Sequence, residues 1–129
     1  MPGTGTKRIH TLIRVGKSEQ LISVACAAIH HVSLKRQQLL SVRPAAVAGF
    51  EQILEDKRMT IVILLKIYEK LDFSGEGHLN IAFSTEEMKL LRECRSVLQT
   101  LSLKPIDNPK TIRLALLRHA RPELTDDDA

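Results

Sequence analysis

Between Pro44 and Leu71 apolar side chains recur at three- and four-residue spacings: Val47, Phe50, Leu54, Ile61, Leu64, Tyr68 and Leu71, with Lys57 the single charged member of the series. This is a helical period sustained over about seven turns, and it reads as a heptad seam. Pro44 suits the first turn, where its missing N–H costs nothing. Ile53, Ile63 and Ile67 widen the stripe, so the helix is expected to pack against more than one neighbour. The run Thr60-Ile61-Val62-Ile63 is β-branched and locally favours strand, but the longer period outweighs it. A stripe this long and broad has to be covered, and more helices are the natural cover.

The remaining sequence supplies them. Leu21, Ile22, Ala25, Cys26, Ile29 and Val32 recur at helical spacing after a first short helical segment predicted at Lys7 to Val15. Ser84-Thr85-Glu86-Glu87 is a capping box, which starts a helix whose Met88, Leu91, Cys94, Leu98 and Leu101 face inward. It stops by Lys104-Pro105. Asn108-Pro109 repeats a start signal, and Ile112, Leu116, Leu117 and Ala120 line the face that follows. Gly75 and Gly77 make 72–80 a loop, and His78 to Phe83 alternates polar and apolar as an extended stretch would.

Aromatic residues are scarce (three Phe, one Tyr and no Trp), so the core must be aliphatic, which suits packed helices better than a β-sandwich. The predicted fold is all-α: a small antiparallel helical bundle of three to four main helices, with one short extended segment near 78–83. The helical domain is expected over 7–121, between a leader at 1–6 and an acidic tail at 122–129.

Charge is uneven. Residues 1–50 hold seven Lys or Arg against Glu19 alone, and Lys104 to Arg121 has only Asp107 as an acid. A basic face of Lys7, Arg8, Arg14, Lys17, Lys35, Arg36 and Arg43 is therefore a candidate nucleic-acid surface, although no aromatic side chain is interleaved to stack bases. The cysteines, Cys26 and Cys94, read as buried free thiols. No long apolar run marks a targeting or membrane segment, so a cytoplasmic location is expected.

One loop carries a resemblance. Asp72-Phe73-Ser74-Gly75-Glu76-Gly77-His78-Leu79 resembles the first eight positions of an EF-hand calcium loop, with Asp72, Ser74 and Glu76 at ligand positions, Gly77 at the sharp turn and Leu79 at the aliphatic position. The resemblance implies a degenerate calcium-responsive module. The twelfth position, where a bidentate Glu belongs, is Phe83. His30-His31 point to different helix faces, and no nucleophile motif surrounds any Ser or Cys.

No catalytic constellation, cofactor motif or small-molecule substrate follows from these residues. The leading expectation is a non-enzymatic helical interaction module, an adaptor, regulator or chaperone-like protein. It would bind a protein partner or a second copy of itself through the stripe Val47, Phe50, Leu54, Lys57, Ile61, Leu64 and Tyr68. Lys57, charged within that seam, is expected to set register or partner choice.

Overall fold

The computed structural model describes residues 11–16, 19–36, 41–73 and 78–124. Strand β1 is Thr11–Gly16, followed by helices α1, Glu19–Arg36, α2, Val42–Glu55, and α3, Arg58–Glu69. Strand β2, His78–Phe83, then leads into α4, Thr85–Leu101, and α5, Asn108–Ala120. The chain is thus mostly helical, a small helical bundle as expected. None of its described helices is long and apolar enough to cross a membrane.

Two elements differ from expectation. The segment predicted as a first helix at Lys7 to Val15 is instead β1 over its described part. It pairs antiparallel with β2, with Thr11 opposite Phe83 and Ile13 opposite Ile81. Thr11, Ile13 and Val15 are β-branched at alternate positions, which suits a strand once a partner strand is supplied. Ile13, Ile81 and Phe83 are buried, so the two-stranded sheet closes one side of the core.

The predicted long helix from Pro44 to Leu71 is two helices, α2 and α3, parted at Asp56 and Lys57. The helical period does run through the break, but the backbone does not. Both halves pack on α5 and α4. The break lets one apolar stripe wrap round the core, where a straight rod of that length would overshoot it.

Helix α5 is the pillar of the fold. It packs against α1, α2, α3, α4 and β1, and Thr111, Ile112 and Leu114 through His119 are all buried. A helix enclosed on every side must be apolar all round or neutralise what is not. Its closest neighbour is α2: a Cβ placed on Gly49 would lie 2.0 Å from the carbonyl oxygen of Ala115. Only glycine permits that backbone approach.

Local capping chemistry fixes where α4 and α5 begin. Ser84 Oγ accepts from the Glu87 N–H at 3.2 Å, and Glu87 Oε1 accepts from the Ser84 N–H at 2.8 Å. The predicted capping box is therefore formed. Ser84→Ala is expected to lower unfolding free energy by about 1 kcal/mol, read by urea denaturation with an unchanged m-value. For α5 the cap is Asp107 rather than Asn108: its carboxylate accepts from the Lys110 N–H at 2.8 Å, and Pro109 falls inside the first turn. Beyond α5, Leu124 is buried on a short turn of 3₁₀ helix. Residues 1–6 and 125–129 lie outside the described residues.

Candidate functional site: an apolar groove between α3 and α4

The stripe predicted to meet a partner is largely spent inside the molecule. Phe50, Ile61 and Leu64 are fully or almost fully buried, and Phe50 packs against Phe83 with ring centroids 5.8 Å apart. Val47, Leu54 and Tyr68 are half-buried, and Lys57 is exposed at the start of α3. The reason is the bend. By redirecting the helix at Asp56, it turns the seam onto α5 and α4 instead of presenting it outward.

Apolar surface remains elsewhere. Val62 and Leu65 of α3, with Leu101 at the end of α4 and Leu103 on the loop that follows, line an open groove of about 240 Å³, with Lys66 and Glu69 along its rim. Met59 is 66% exposed and sits one turn before Val62 on the same stripe of α3. Leu103 is completely exposed.

The loop that offers Leu103 is held in place. Gln99 Nε2 donates to the Lys104 carbonyl at 3.1 Å, while Gln99 Oε1 accepts from the Ile106 N–H at 2.7 Å. Ser102 Oγ accepts from the Lys104 N–H at 3.1 Å. Ile106, three residues beyond Leu103, is buried. An exposed leucine on a pinned loop is a preorganised contact: its ordering cost has already been met by the fold.

On the neighbouring edge, aromatic and basic side chains interlock. Tyr68 stacks on Phe73 at 4.8 Å between centroids, and Arg113 Nε donates to the Tyr68 hydroxyl at 2.8 Å. Lys110 lies over the Tyr68 ring and the Arg113 guanidinium over Phe73, at 5.5 and 5.7 Å. Burial raises the Tyr68 phenol above its ordinary value, against the opposing hydrogen bond from Arg113. The cluster ties the segment after α3 to α5.

An ion pair is buried at the other end of α5. Arg118, 1% exposed, donates from Nε and Nη2 to the two carboxylate oxygens of Asp56 at 2.6 and 2.9 Å. Its Nη1 donates to the Arg121 carbonyl at 3.0 Å. The fork-to-fork geometry neutralises the one guanidinium buried among the described residues. Beside it, His119 Nδ1 and Gln52 Oε1 lie 2.6 Å apart.

The thiols divide. Cys26 is exposed rather than buried, on the solvent side of α1, while Leu21, Ala25 and Ala28 take the core side. Cys94 is buried, and desolvation, with the charge of Asp56 adding to it, pushes its thiol up to about 12. A thiol reagent at neutral pH is therefore expected to modify Cys26 quickly and Cys94 only after denaturation, as counted with a chromogenic disulfide. The raised value also means the folded state holds the thiol proton more tightly. This contribution to stability is intact below the ordinary thiol range and fades as pH rises from there towards 12.

The loop that resembles a calcium site is described only in part. Phe83, in the place of the bidentate Glu, is buried in the core. Asp72 is exposed, and Ser74 and Glu76 lie outside the described residues. Among the described residues no three His, Cys, Asp or Glu gather in a way that could hold a metal ion. Of the predicted basic face, Lys7, Arg8 and Lys17 lie outside the described residues, as do the side chains of Arg14, Lys35 and Arg36. Arg43 faces Glu87 of α4 at 3.7 Å.

Leu103 was the residue that sequence reasoning passed over. Its signal was local: an apolar side chain between Ser102 and Lys104-Pro105, past the end of any helix able to bury it. No protein-family model matches this chain, and no curated protein or solved structure matches it.

Proposed function

We propose that this chain is a non-enzymatic helical interaction module that binds one amphipathic helix of a partner protein in the α3–α4 groove. The observation that carries the reading is the fully exposed Leu103, held on its loop beside a groove floored by Val62, Leu65 and Leu101. A helix laid in such a groove would place apolar side chains at three- and four-residue spacing against Met59, Val62 and Leu103. The rim favours a helix over a lipid surface or a nucleic acid, because Lys66 and Glu69 offer one charge of each sign within a single turn. A partner with the opposite order of charges would pair with both.

Leu103→Glu tests this without touching the core, since the side chain packs against nothing in the free protein. Its melting temperature is expected to match that of the parent. A photocrosslinker at Met59 should capture one partner in the parent, with an apolar face mapping to the crosslinked peptide. Burying a leucine contributes about 1.5–3 kcal/mol, so Leu103→Glu should weaken that capture at least tenfold. Equal capture by the variant would refute the reading, as would crosslinks only to nucleic acid, only to a second copy, or to nothing.

A further inference from the structure

The bend between α2 and α3 has none of the usual local causes. Its residues, Glu55, Asp56, Lys57, Arg58 and Met59, include neither Gly nor Pro. The charges are of the wrong sign for helix ends. Acids stand at the C-terminus of α2, which has no base in its last turn, and bases stand at the N-terminus of α3, which has no acid in its first. Lys57 provides no side-chain cap. These penalties would vanish if the two ends were joined.

The backbone is close to being joined. Asp56 has φ −71° and ψ 150°, and Lys57 has φ −74° and ψ 157°. Both φ values are already helical, so rotation of ψ at two residues separates the bend from a continuous helix spanning 42–69. The apolar period runs through that span, as a single helix requires. What opposes straightening is tertiary: the Asp56–Arg118 ion pair, and the packing of both helices on α5 and α4.

We propose that Asp56 and Lys57 are a hinge through which two copies of this chain exchange their N-terminal parts, β1, α1 and α2, to form a domain-swapped dimer. On straightening, α2 can no longer reach its own α5. Packing of α2, α1 and β1 on α5, and of β1 on β2, is then regained on the second copy, which presents the same surfaces. Only the hinge changes, and the continuous helix removes the two mismatched helix ends in each chain. A foreign partner would have to imitate every one of those surfaces, which a second copy does without adaptation.

The test is to refold the purified chain from denaturant at high protein concentration and resolve it by size exclusion with light scattering. A monomer and a slowly exchanging dimer are expected. Lys57→Pro fits the bent backbone, because Lys57 has a proline-like φ and Asp56 before it is extended. Within a continuous helix, the same proline would disfavour the straight form roughly a hundredfold per chain. Lys57→Pro should therefore remain a folded monomer with no dimer peak. The double variant Asp56→Ala/Arg118→Met, which removes the clamp without stranding a buried charge, should enrich the dimer several-fold.

Spin labels replacing Glu51 and Lys66, with Cys26→Ser and dilution by unlabelled chain, report the hinge directly. In the dimer the intrachain separation should lengthen towards the ~22 Å that fifteen helical residues span. Monomer alone in the parent at every concentration would overturn the proposal. So would a dimer that survives Lys57→Pro, or one whose 51–66 distance equals that of the monomer. A dimer lost with Leu103→Glu but kept with Lys57→Pro is a groove contact and also overturns it. Should the double variant fail to fold, the comparison of Lys57→Pro with the parent still decides.

Discussion

Gly49→Ala is expected to destabilise the protein by about 3 kcal/mol or more, although alanine is the better helix former by roughly 1 kcal/mol. The added methyl would meet the oxygen, carbon and Cα of Ala115 at 2.0, 2.5 and 2.9 Å, all backbone atoms of the central helix. No rotamer change relieves a clash with backbone, so α2 and α5 must move apart. Every side chain packed between them, Phe50 and Ile53 included, then loses contact. Urea denaturation should show a lowered midpoint with little change in slope. A midpoint equal to the parent's would mean that α2 and α5 do not pack this closely.

The second large effect concerns the buried ion pair. Asp56→Ala leaves Arg118 enclosed with its charge uncompensated, and the expected loss is about 3–5 kcal/mol. The double variant Asp56→Ala/Arg118→Met removes both charges and keeps an apolar side chain in the space. It is expected to recover most of that loss, because the desolvation of two ions is relieved as their attraction disappears. A double-mutant cycle on unfolding free energies measures the coupling. Additive single effects would show that the pair contributes no interaction of its own.

The parts of this fold legible in the sequence are those decided within a few residues. The start of α4 was readable because a hydroxyl and a carboxylate three residues apart satisfy each other's backbone donors, whatever lies elsewhere. The buried face Met88, Leu91, Cys94 and Leu98 followed from spacing alone. β2 showed its alternation, but not its partner, because pairing with Thr11–Gly16 is settled between segments more than sixty residues apart in the chain.

The break at Asp56 was invisible for a related reason. Local sequence there favours helix, and the residue that opposes it, Arg118, lies in the last helix. For α5 the sequence showed one apolar face, Ile112, Leu116, Leu117 and Ala120, but not that Arg118 and His119 are buried as well, because their partners Asp56 and Gln52 lie more than sixty residues away. The candidate site inverted in consequence. Much of the apolar stripe most conspicuous in the sequence became core, while among the described residues the large apolar side chains left exposed are Ile22, Met59 and Leu103, the last of which belongs to no periodic pattern.

The position of α5 bears on how the protein is made. A ribosome releases the chain from its N-terminus, and of the five described helices the enclosed one emerges last. Until residues 108–120 clear the exit tunnel, α1, α2 and α3 lack the one helix against which all three pack, and only α4, the β1–β2 sheet and one another are there to cover them. The nascent chain therefore carries part of its apolar surface incompletely covered until that helix appears. Its final collapse waits on α5 and is cooperative. Holdases that shield apolar segments at the ribosome should accordingly dwell on this chain until its fifth helix appears.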